Sequence, residues 1–300
     1  MYSRLLFLLL FFTHAVMASP WFTGPLLAPN GITIPPGHFN FEPYGFYTIY
    51  PEQFRNFEAT SILTIGVTSF LDFQASAPYD FSWNRGQYGQ GIGDSSLGFG
   101  IQVLRQHENS WIPDLRVTIQ ELFPTGKFDH LNPKKFGTDQ TGSGSYQTSI
   151  GLNFQRLTEF HDQHYLRSRL SVVAATAGDV TVSGLNTFGG DQETHGKVSP
   201  GNSYSVDVAF EYTLTEHWVP VFEMLFVNSG STNFVGNPGF TPGGTVRSVG
   251  GRGGSQGSLA PAIEYNFNSN LGIIAGVWFS ITGPHPAEFI SNTIAINYYF

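Results

Sequence analysis

Apolar and polar residues alternate along most of the chain. In residues 291–300 the large apolar side chains share one parity, and the small or polar side chains share the other. Because successive side chains of a strand point to opposite faces, this period predicts a strand with one continuous apolar face. The period recurs in twelve segments, at roughly residues 39–50, 57–67, 70–84, 95–107, 112–124, 145–158, 163–177, 203–215, 217–229, 257–267, 270–282 and 288–300. The chain is therefore predicted to be all-β.

The links between these segments alternate in length. Short links fall near residues 67–70, 107–111, 158–163, 215–217 and 267–270, and long loops cover residues 85–94, 125–144, 178–202 and 230–256. Bacterial outer-membrane barrels have an even number of strands, short periplasmic turns and long outer loops. The pattern therefore predicts a transmembrane antiparallel up-and-down β-barrel of about 12 strands over residues 39–300. A soluble β-sandwich is the alternative, but it gives no reason for the alternation.

The amino terminus has the features of a secretory signal peptide. Arg4 precedes an apolar run at residues 5–12, and residues 16–18 form a cleavage site that ends in Ala18. Residues 1–18 are too short to span a bilayer and are predicted to be removed after export across the inner membrane. Together with the barrel pattern, this leader predicts that the mature chain lies in the bacterial outer membrane.

The carboxy terminus carries a second targeting feature. Ile296, Tyr298 and Phe300 alternate to the last residue. A terminal strand that ends in Phe resembles the signal read by the barrel-assembly machinery of bacteria. That machinery is therefore an expected partner of the chain, together with outer-membrane lipid.

Composition agrees with a barrel and excludes other classes. No apolar run after the signal peptide is long enough for a membrane-spanning helix, whereas barrel strands escape hydropathy because lipid-facing and lumen-facing residues alternate. Aromatic residues make up 15% of the chain, which suits interfacial girdles. The net charge of −8 argues against a nucleic-acid partner, and the absence of Cys excludes disulfides and a lipid-modified cysteine.

Eleven charged residues within the predicted strands fall on the parity opposite to the apolar stripe. They are predicted to line the lumen, because a charge that faces lipid costs about 2–4 kcal/mol for arginine near the midplane. The acidic candidates are Glu42, Glu58, Asp72, Asp80, Asp207, Glu211, Glu223 and Glu264, and the basic candidates are Arg116, Arg167 and Arg169. Two interpretations stay open, a network of ion pairs that stiffens the barrel and a lining that selects solutes.

The segment after the signal peptide differs from the rest. Residues 19–38 contain five prolines and show no period, so they cannot form a regular strand. The segment is either a periplasmic tail or a plug that folds into the lumen. The domain organisation predicted from the sequence is thus a signal peptide at 1–18, this proline-rich segment at 19–38 and a barrel at 39–300.

Three runs carry a resemblance to a known family: GDSSLGFGIQVL at 93–104, IPDLRVTIQELFPTGKF at 112–128 and GSYQTSIGLNF at 144–154. With Leu-Thr-Glu at 157–159 and again at 214–216, they resemble the MetA-pathway of phenol degradation family of outer-membrane proteins. The resemblance implies a barrel of the broad class that includes transporters of hydrophobic compounds. Glu121 departs from the pattern, because it falls on the lipid-facing parity of its strand.

Three functions are compatible with these features. The first is a channel or transporter-like barrel for diffusion or binding of a small, hydrophobic or aromatic, solute. The second is a non-transporting surface protein whose outer loops mediate adhesion. The third, an outer-membrane lipid hydrolase, lacks support because the G-x-S-x-G run at residues 253–257 lies in a Gly-rich loop and not on the strand-to-helix turn that this signature requires. We therefore expect no enzyme activity and no cofactor. We expect no metal site either, and interpret His161 and His164 as part of a polar turn.

Overall fold

The computed structural model describes residues 21–300 apart from 109, 162–163 and 283–287. The predicted signal peptide, residues 1–18, lies outside the described residues. The strands of the described part are β1 (Phe39–Ile49), β2 (Arg55–Thr68), β3 (Leu71–Asn84), β4 (Gln87–Ile92), β5 (Ser95–Leu104), β6 (Asp114–Phe123), β7 (Gln147–His161), β8 (His164–Ala177), β9 (Val180–Ser183), β10 (His195–Ser199), β11 (Ser203–Tyr212), β12 (Trp218–Ser229), β13 (Asn233–Asn237), β14 (Gly254–Leu259), β15 (Ala262–Asn266), β16 (Leu271–Thr282) and β17 (Ile290–Tyr299). Two short 3-10 turns cover Pro51–Gln53 and Pro133–Lys135. No helix of this described part is long and apolar enough to cross a membrane.

Antiparallel pairing closes the sheet into a barrel. β17 pairs with β1, and β11 pairs with both β8 and β12, so the wall has no free edge. β14 and β15 both lie between β12 and β16 and form one interrupted wall strand, whereas β4 pairs with β3 alone. Within the described residues the wall therefore has twelve strand positions. The predicted all-β transmembrane barrel of about 12 strands is confirmed.

The interruption between β14 and β15 has a local cause. Pro261 has no N–H to donate to a neighbouring strand, so the ladder breaks there. Ala260 N still donates to Glu223 O at 2.9 Å, and Val277 N donates to Pro261 O at 3.1 Å, which carries the wall across the break. The sequence pattern predicted one continuous strand over 257–267, because side-chain period alone does not report a missing donor.

The two faces of the wall differ in chemistry. Phe99 and Ile150 on the outer face are 50% and 52% exposed, whereas Asp72, Glu223 and Glu264 on the inner face are 0% exposed. The outer surface is thus an apolar band that suits lipid, and the charges lie inside. This separation follows directly from the period of two along each strand.

Glu121 lies on the outer face of β6, two residues before the outer end of the strand at Phe123. Its Oε2 atom accepts a hydrogen bond from Thr148 Oγ1 at 2.6 Å, and the β6–β7 register is regular around it. A carboxylate costs less near the membrane surface than at the midplane. The interfacial position and this hydrogen bond therefore explain how a carboxylate is tolerated on the outer face of β6.

The long outer loops contain structure that the sequence pattern did not predict. β4 lies in the predicted loop 85–94, and β9, β10 and β13 form a separate three-stranded sheet. Val182 and Val198 in this sheet are 0% exposed and pack with neighbouring aromatic side chains of the loops. These strands are short and their apolar residues few, so a period of two is not recognisable in them. A small hydrophobic core of their own therefore stabilises these outer loops.

Residues 21–37, which we call the inner segment, run inside the barrel. Leu26 and Thr33 are 3% and 1% exposed. Leu26 packs against a cluster of wall residues, Val221, Ala260, Ile274 and Ala295. The segment leads into β1 at the end of the barrel where Phe39 and Phe300 exchange backbone hydrogen bonds of 2.7 and 2.9 Å. It therefore occupies the half of the lumen on the side of the short links, which is the periplasmic side in outer-membrane barrels.

Candidate functional site

Three wall carboxylates hold the backbone of the inner segment. Glu264 accepts hydrogen bonds from the N–H groups of Thr23 and Gly24 at 2.7 and 3.3 Å. Glu223 accepts from Leu27 N at 3.0 and 3.1 Å and from Ala28 N. Asp72 Oδ2 accepts from Ile34 N at 3.1 Å. Buried N–H groups need partners, and a segment without secondary structure cannot supply them from its own backbone.

Amide side chains complete this set of contacts. Gln102 accepts from Thr33 N at 2.7 Å and donates to Gly31 O at 3.1 Å. Asn266 donates to Trp21 O at 3.3 Å. Sequence reasoning missed these residues because it considered only charged side chains. Their inward parity on β5 and β15 is the signal that could have found them.

Two glycines allow the inner segment to approach the wall closely. A Cβ atom on Gly66 of β2 would collide with the carbonyl group of Pro35, and one on Gly31 would collide with the Gln155 side chain. Gly66 also donates from its N–H to His38 O at 3.0 Å. Any larger residue at these positions would push the segment away from the wall.

Asp72 also forms a buried ion pair with Arg116. Arg116 Nη2 lies 2.6 Å from Asp72 Oδ1, Arg116 Nε donates to Oδ2 at 3.1 Å, and the two side chains are 5% and 1% exposed. This two-point geometry is the strong form of the arginine–carboxylate pair. Asp72 thus joins β3 to β6 and to the inner segment at once.

A second ionic group lies on β8 and β11. Arg167 donates to both carboxylate oxygens of Glu211, and Arg169 Nε lies 3.4 Å from Glu211 Oε2. Arg169 also donates to Ala28 O at 3.0 Å, and the Arg167 guanidinium lies 4.2 Å from the centre of the Phe22 ring. Both arginines therefore contact the inner segment as well as the wall.

All the charged residues proposed from the sequence as lumen-lining lie on the inner face. They lie at two heights along the barrel axis, near the inner segment and near the outer mouth. Asp207 is buried on β11 next to Glu223, and Glu42 accepts from Asn297 Nδ2 at 3.1 Å near the inner segment. Glu58 and Asp80 lie toward the outer mouth, where Asp80 accepts from Asn56 at 3.0 Å. Parity predicted the face of each residue but not its level or its partner.

At least two cavities lie in the lumen formed by the described residues. One of about 470 Å³ lies against the inner segment and is lined by Tyr44, by hydroxyl and amide side chains, and by the charged residues Glu42, Asp72, Arg116, Arg167 and Arg169. The other, of about 780 Å³, lies at the outer mouth and is lined by Tyr50, Phe54 and residues 140–143 of an outer loop. The lining of the first cavity also includes Ser269 and Tyr299, so this cavity extends beside the inner segment toward the periplasmic end of the barrel.

The outer loop that reaches the mouth is pinned by Asp139. Lys127 Nζ lies 2.8 Å from Asp139 Oδ2, and Asn132 N donates to the same oxygen at 3.0 Å. Partial burial acts to raise the pKa of Asp139, but these two hydrogen bonds outweigh it and hold that pKa below its usual value. The carboxylate therefore stays charged, and the loop stays anchored, at neutral and mildly acidic pH.

The carboxy-terminal residues Ile296, Tyr298 and Phe300 all lie on the outer face and are 42%, 45% and 48% exposed. The Phe300 ring stacks on Phe39 with 5.3 Å between centres, at the seam where β17 meets β1. A role of these residues in recognition by the assembly machinery stays a prediction.

Among the residues that the structure describes, no group of three or more His, Cys, Asp or Glu side chains could hold a metal ion. His164 Nδ1 lies 2.6 Å from Thr213 O, and Asp162 of the same predicted polar turn lies outside the described residues.

A closed antiparallel barrel with an apolar outer face and a polar lumen defines an outer-membrane protein of a Gram-negative bacterium. The family model described as MetA-pathway of phenol degradation matches residues 25–298. The chain belongs to this family, as the motifs between residues 93 and 154 predicted. No curated protein matches the chain.

Solved structures with a similar fold are outer-membrane barrels. The COG4313 outer membrane channel from Pseudomonas putida F1 is 13% identical, the match covers 92% of this chain and 100% of that chain, and the TM-score is 0.64. The NanC porin is 8% identical, with 86% and 98% covered and a TM-score of 0.45. The transport unit of the autotransporter AIDA-I from Escherichia coli is 13% identical, with 88% and 91% covered and a TM-score of 0.46. The first likeness agrees with the barrel fold and with a location in the outer membrane.

Proposed function

We propose that the protein is an outer-membrane channel for small solutes and that the inner segment closes its lumen. The observation that carries this proposal is the set of hydrogen bonds from the segment to Glu264, Glu223 and Asp72 of the wall. These contacts place ordered backbone across the periplasmic half of the lumen. Solutes would pass when the segment leaves this position.

The size of the barrel supports the proposal. Eight strands fill their interior with side chains, whereas sixteen leave an aqueous channel. Twelve strands leave a lumen that one extended segment can fill. The inner segment adds no strand to the wall, so the barrel ladder does not depend on it.

The chemistry of the contacts also supports a removable plug. Most of the segment is held by hydrogen bonds to side chains, and water can replace such bonds when the segment moves. A related fold is described as an outer membrane channel, which agrees with transport of a small solute. The family description points to an aromatic or otherwise hydrophobic solute.

The outer face and the carboxy terminus extend the proposal to partners. The apolar outer band would contact outer-membrane lipid, and Ile296, Tyr298 and Phe300 would present the assembly signal. No step of this proposal requires catalysis, a cofactor or a metal.

Replacement of Glu223 by Ala is expected to increase the open fraction of single channels in planar bilayers roughly ten- to hundredfold. The change removes the acceptor for Leu27 N and Ala28 N, and a buried donor left without its partner costs about 1–3 kcal/mol. Each 1.4 kcal/mol corresponds to about a tenfold change in an equilibrium constant. Loss of one such bond is therefore enough for about a tenfold increase in the open fraction.

Glu58→Ala is the matched control, because it removes the same charge from the lumen at the outer level, where Glu58 accepts from Thr60. We expect its open fraction to stay close to that of the parent chain. If both variants open the channel equally, lumen charge and not the inner segment controls conductance, and the proposal is wrong.

The ordered outer loops favour a second function, in surface recognition. The sheet of β9, β10 and β13 has its own apolar core, so it presents a fixed outer surface. Adhesion that is lost when residues 180–199 are replaced by a short linker, in a barrel that never conducts, would support this function over the channel.

A further inference from the structure

Six aromatic side chains form a strip on one side of the lumen. They belong to β1, to the turn after it, to β16 and to the residue before β17. The members of this aromatic strip are Tyr44, Phe46, Tyr50, Phe54, Trp278 and Phe289. Tyr44 and Phe46 share the inward parity of Glu42, and Trp278 shares that of Ile274, which is 1% exposed.

Ring contacts connect the upper members of the strip. The Tyr50 ring lies 5.8 Å from Phe54 and 6.4 Å from Phe289, and Phe289 lies 4.6 Å from Trp278. Tyr50 and Phe54 line the outer cavity. The strip is therefore accessible from the outer mouth.

The lower members extend the strip toward the inner segment. The Tyr44 and Phe46 rings stack with 5.6 Å between centres and 4° between planes. Tyr44 and Trp278 both pack against the cluster that contains Leu26 of the inner segment. An apolar path thus runs from the outer mouth down to the inner segment.

The register of β17 leaves space along this path. Thr293 and Ala295 pair with Phe46 and Tyr44 of β1, and Ser291 pairs with Trp278 of β16. These inward residues are small, so β17 places no bulky side chain between the rings of β1 and the ring of Trp278 on β16.

Another sector of the wall is polar. Its members line the same cavity as Tyr44 and are Gln74, Ser76, Ser96, Thr118 and Gln120. The Oγ atoms of Ser76 and Ser96 lie 2.7 Å apart, and Gln120 Nε2 donates to Ser96 Oγ at 2.5 Å. Hydroxyl and amide groups of this kind can exchange bonds with a hydroxyl group of a solute.

Charge restricts the solute further. Glu58, Asp80 and Asp94 line the outer cavity, whereas Glu42 and Asp72 line the lower cavity together with Arg116, Arg167 and Arg169. Carboxylates in a confined lumen repel anions. The outer mouth therefore disfavours anions, and the mixed charges of the lower cavity favour neither sign, so a neutral solute suits both cavities.

We propose that the aromatic strip binds and guides neutral solutes that have an apolar ring face and hydroxyl groups at the edge of the ring. The inference rests on the proposed channel function and names its solute chemistry and its specificity-determining residues. The ring packs on the strip, and the hydroxyl groups bond to the polar sector. Hydroxylated aromatic compounds and chair-form pyranose sugars share this chemistry, because both present an apolar ring face on which aromatic side chains can pack.

Equilibrium binding to the full-length protein in lipid nanodiscs tests the proposal without requiring an open channel. Resorcinol and glucose are the two ring probes, and toluene and benzoate are the apolar and anionic comparisons. We expect at least one ring probe to bind about tenfold more tightly than toluene or benzoate. Tyr50→Ala and Phe46→Ala are each expected to weaken that binding about tenfold.

Phe57→Ala is the matched control, since Phe57 is an aromatic residue on the opposite face of β2 from Glu58. We expect it to leave binding unchanged, and heat-modifiable migration in gels checks that every variant forms the barrel. The probe that binds identifies the source of the ring. Absence of binding by both ring probes, or equal affinity of all variants, would overturn the assignment.

This result is separate from the conductance test. A Glu223→Ala channel that conducts but shows no strip-dependent binding leaves the channel in place and removes the solute assignment. Strip-dependent binding in a protein that never conducts leaves the solute assignment in place and removes the channel function.

Discussion

A chain that lacks residues 21–37 is expected to show a steady conductance, at least about tenfold above that of the full chain, in planar bilayers. In the full chain these residues cross the periplasmic half of the lumen and leave a cavity of about 470 Å³ beside them. Their removal leaves a lumen of the width that twelve strands enclose, between the filled eight-strand and the open sixteen-strand barrels.

The shortened chain is expected to fold. The wall ladder is formed by strand pairing alone, and the Arg116–Asp72 and Arg167–Glu211 pairs are within the wall. Glu223 and Glu264 would lose their N–H donors but would then face water. Heat-modifiable migration serves as the control for barrel formation. A folded, shortened barrel with no conductance would contradict closure by the inner segment.

Arg116→Met is expected to lower the free energy of unfolding by about 3–5 kcal/mol. The change leaves Asp72, whose side chain is 1% exposed, as a buried carboxylate without its arginine partner. Removal of one member of a buried pair is more destabilising than replacement of both, because a charge stays in a poorly solvated position. Guanidinium unfolding in lipid, followed by gel migration, measures the loss.

Two comparisons make this stability prediction specific. Lys127→Met breaks an ion pair whose lysine is 48% exposed, and we expect a loss below about 1 kcal/mol. The double variant Asp72→Asn/Arg116→Met carries no buried charge at this site and should recover part of the loss. Equal losses for Arg116→Met and Lys127→Met would show that burial of the pair is not what stabilises it.

The strand positions were largely predictable because the membrane imposes the same alternation on every wall strand. Residues such as Asp72 and Arg116 had inward parity in the sequence, and both lie inside. Their pairing was not predictable, since parity contains no information on which strands neighbour each other at the same height. Pro261 was visible in the sequence, but its effect depends on which backbone groups its neighbours offer.

The inner segment marks the limit of sequence reasoning for this chain. Residues 19–38 have no period, so the sequence left both a tail and a plug open. The location of residues 21–37 depends on acceptors from distant strands, such as Glu223 and Glu264, that only the folded barrel brings together. Tyr44 was a missed opportunity, because its inward parity was readable but aromatic residues were interpreted as membrane girdles.

A reversible lock tests the central claim most directly. An ideal Cβ at Gly272 lies 3.2 Å from Thr23 Cβ, a few tenths of an ångström below the distance of about 3.5–4.5 Å found in disulfides. The chain contains no Cys, so Thr23→Cys with Gly272→Cys creates a single pair that can tie the inner segment to β16.

The measurement is single-channel current of the variant that combines this cysteine pair with Glu223→Ala, before and after reduction. Disulfide formation is verified by gel migration, and the two single-cysteine variants are the controls. We expect current under reducing conditions and its reversible loss on oxidation, because the locked segment cannot leave the lumen. Current that continues unchanged in the oxidised, disulfide-bonded protein would contradict closure of the channel by residues 21–37.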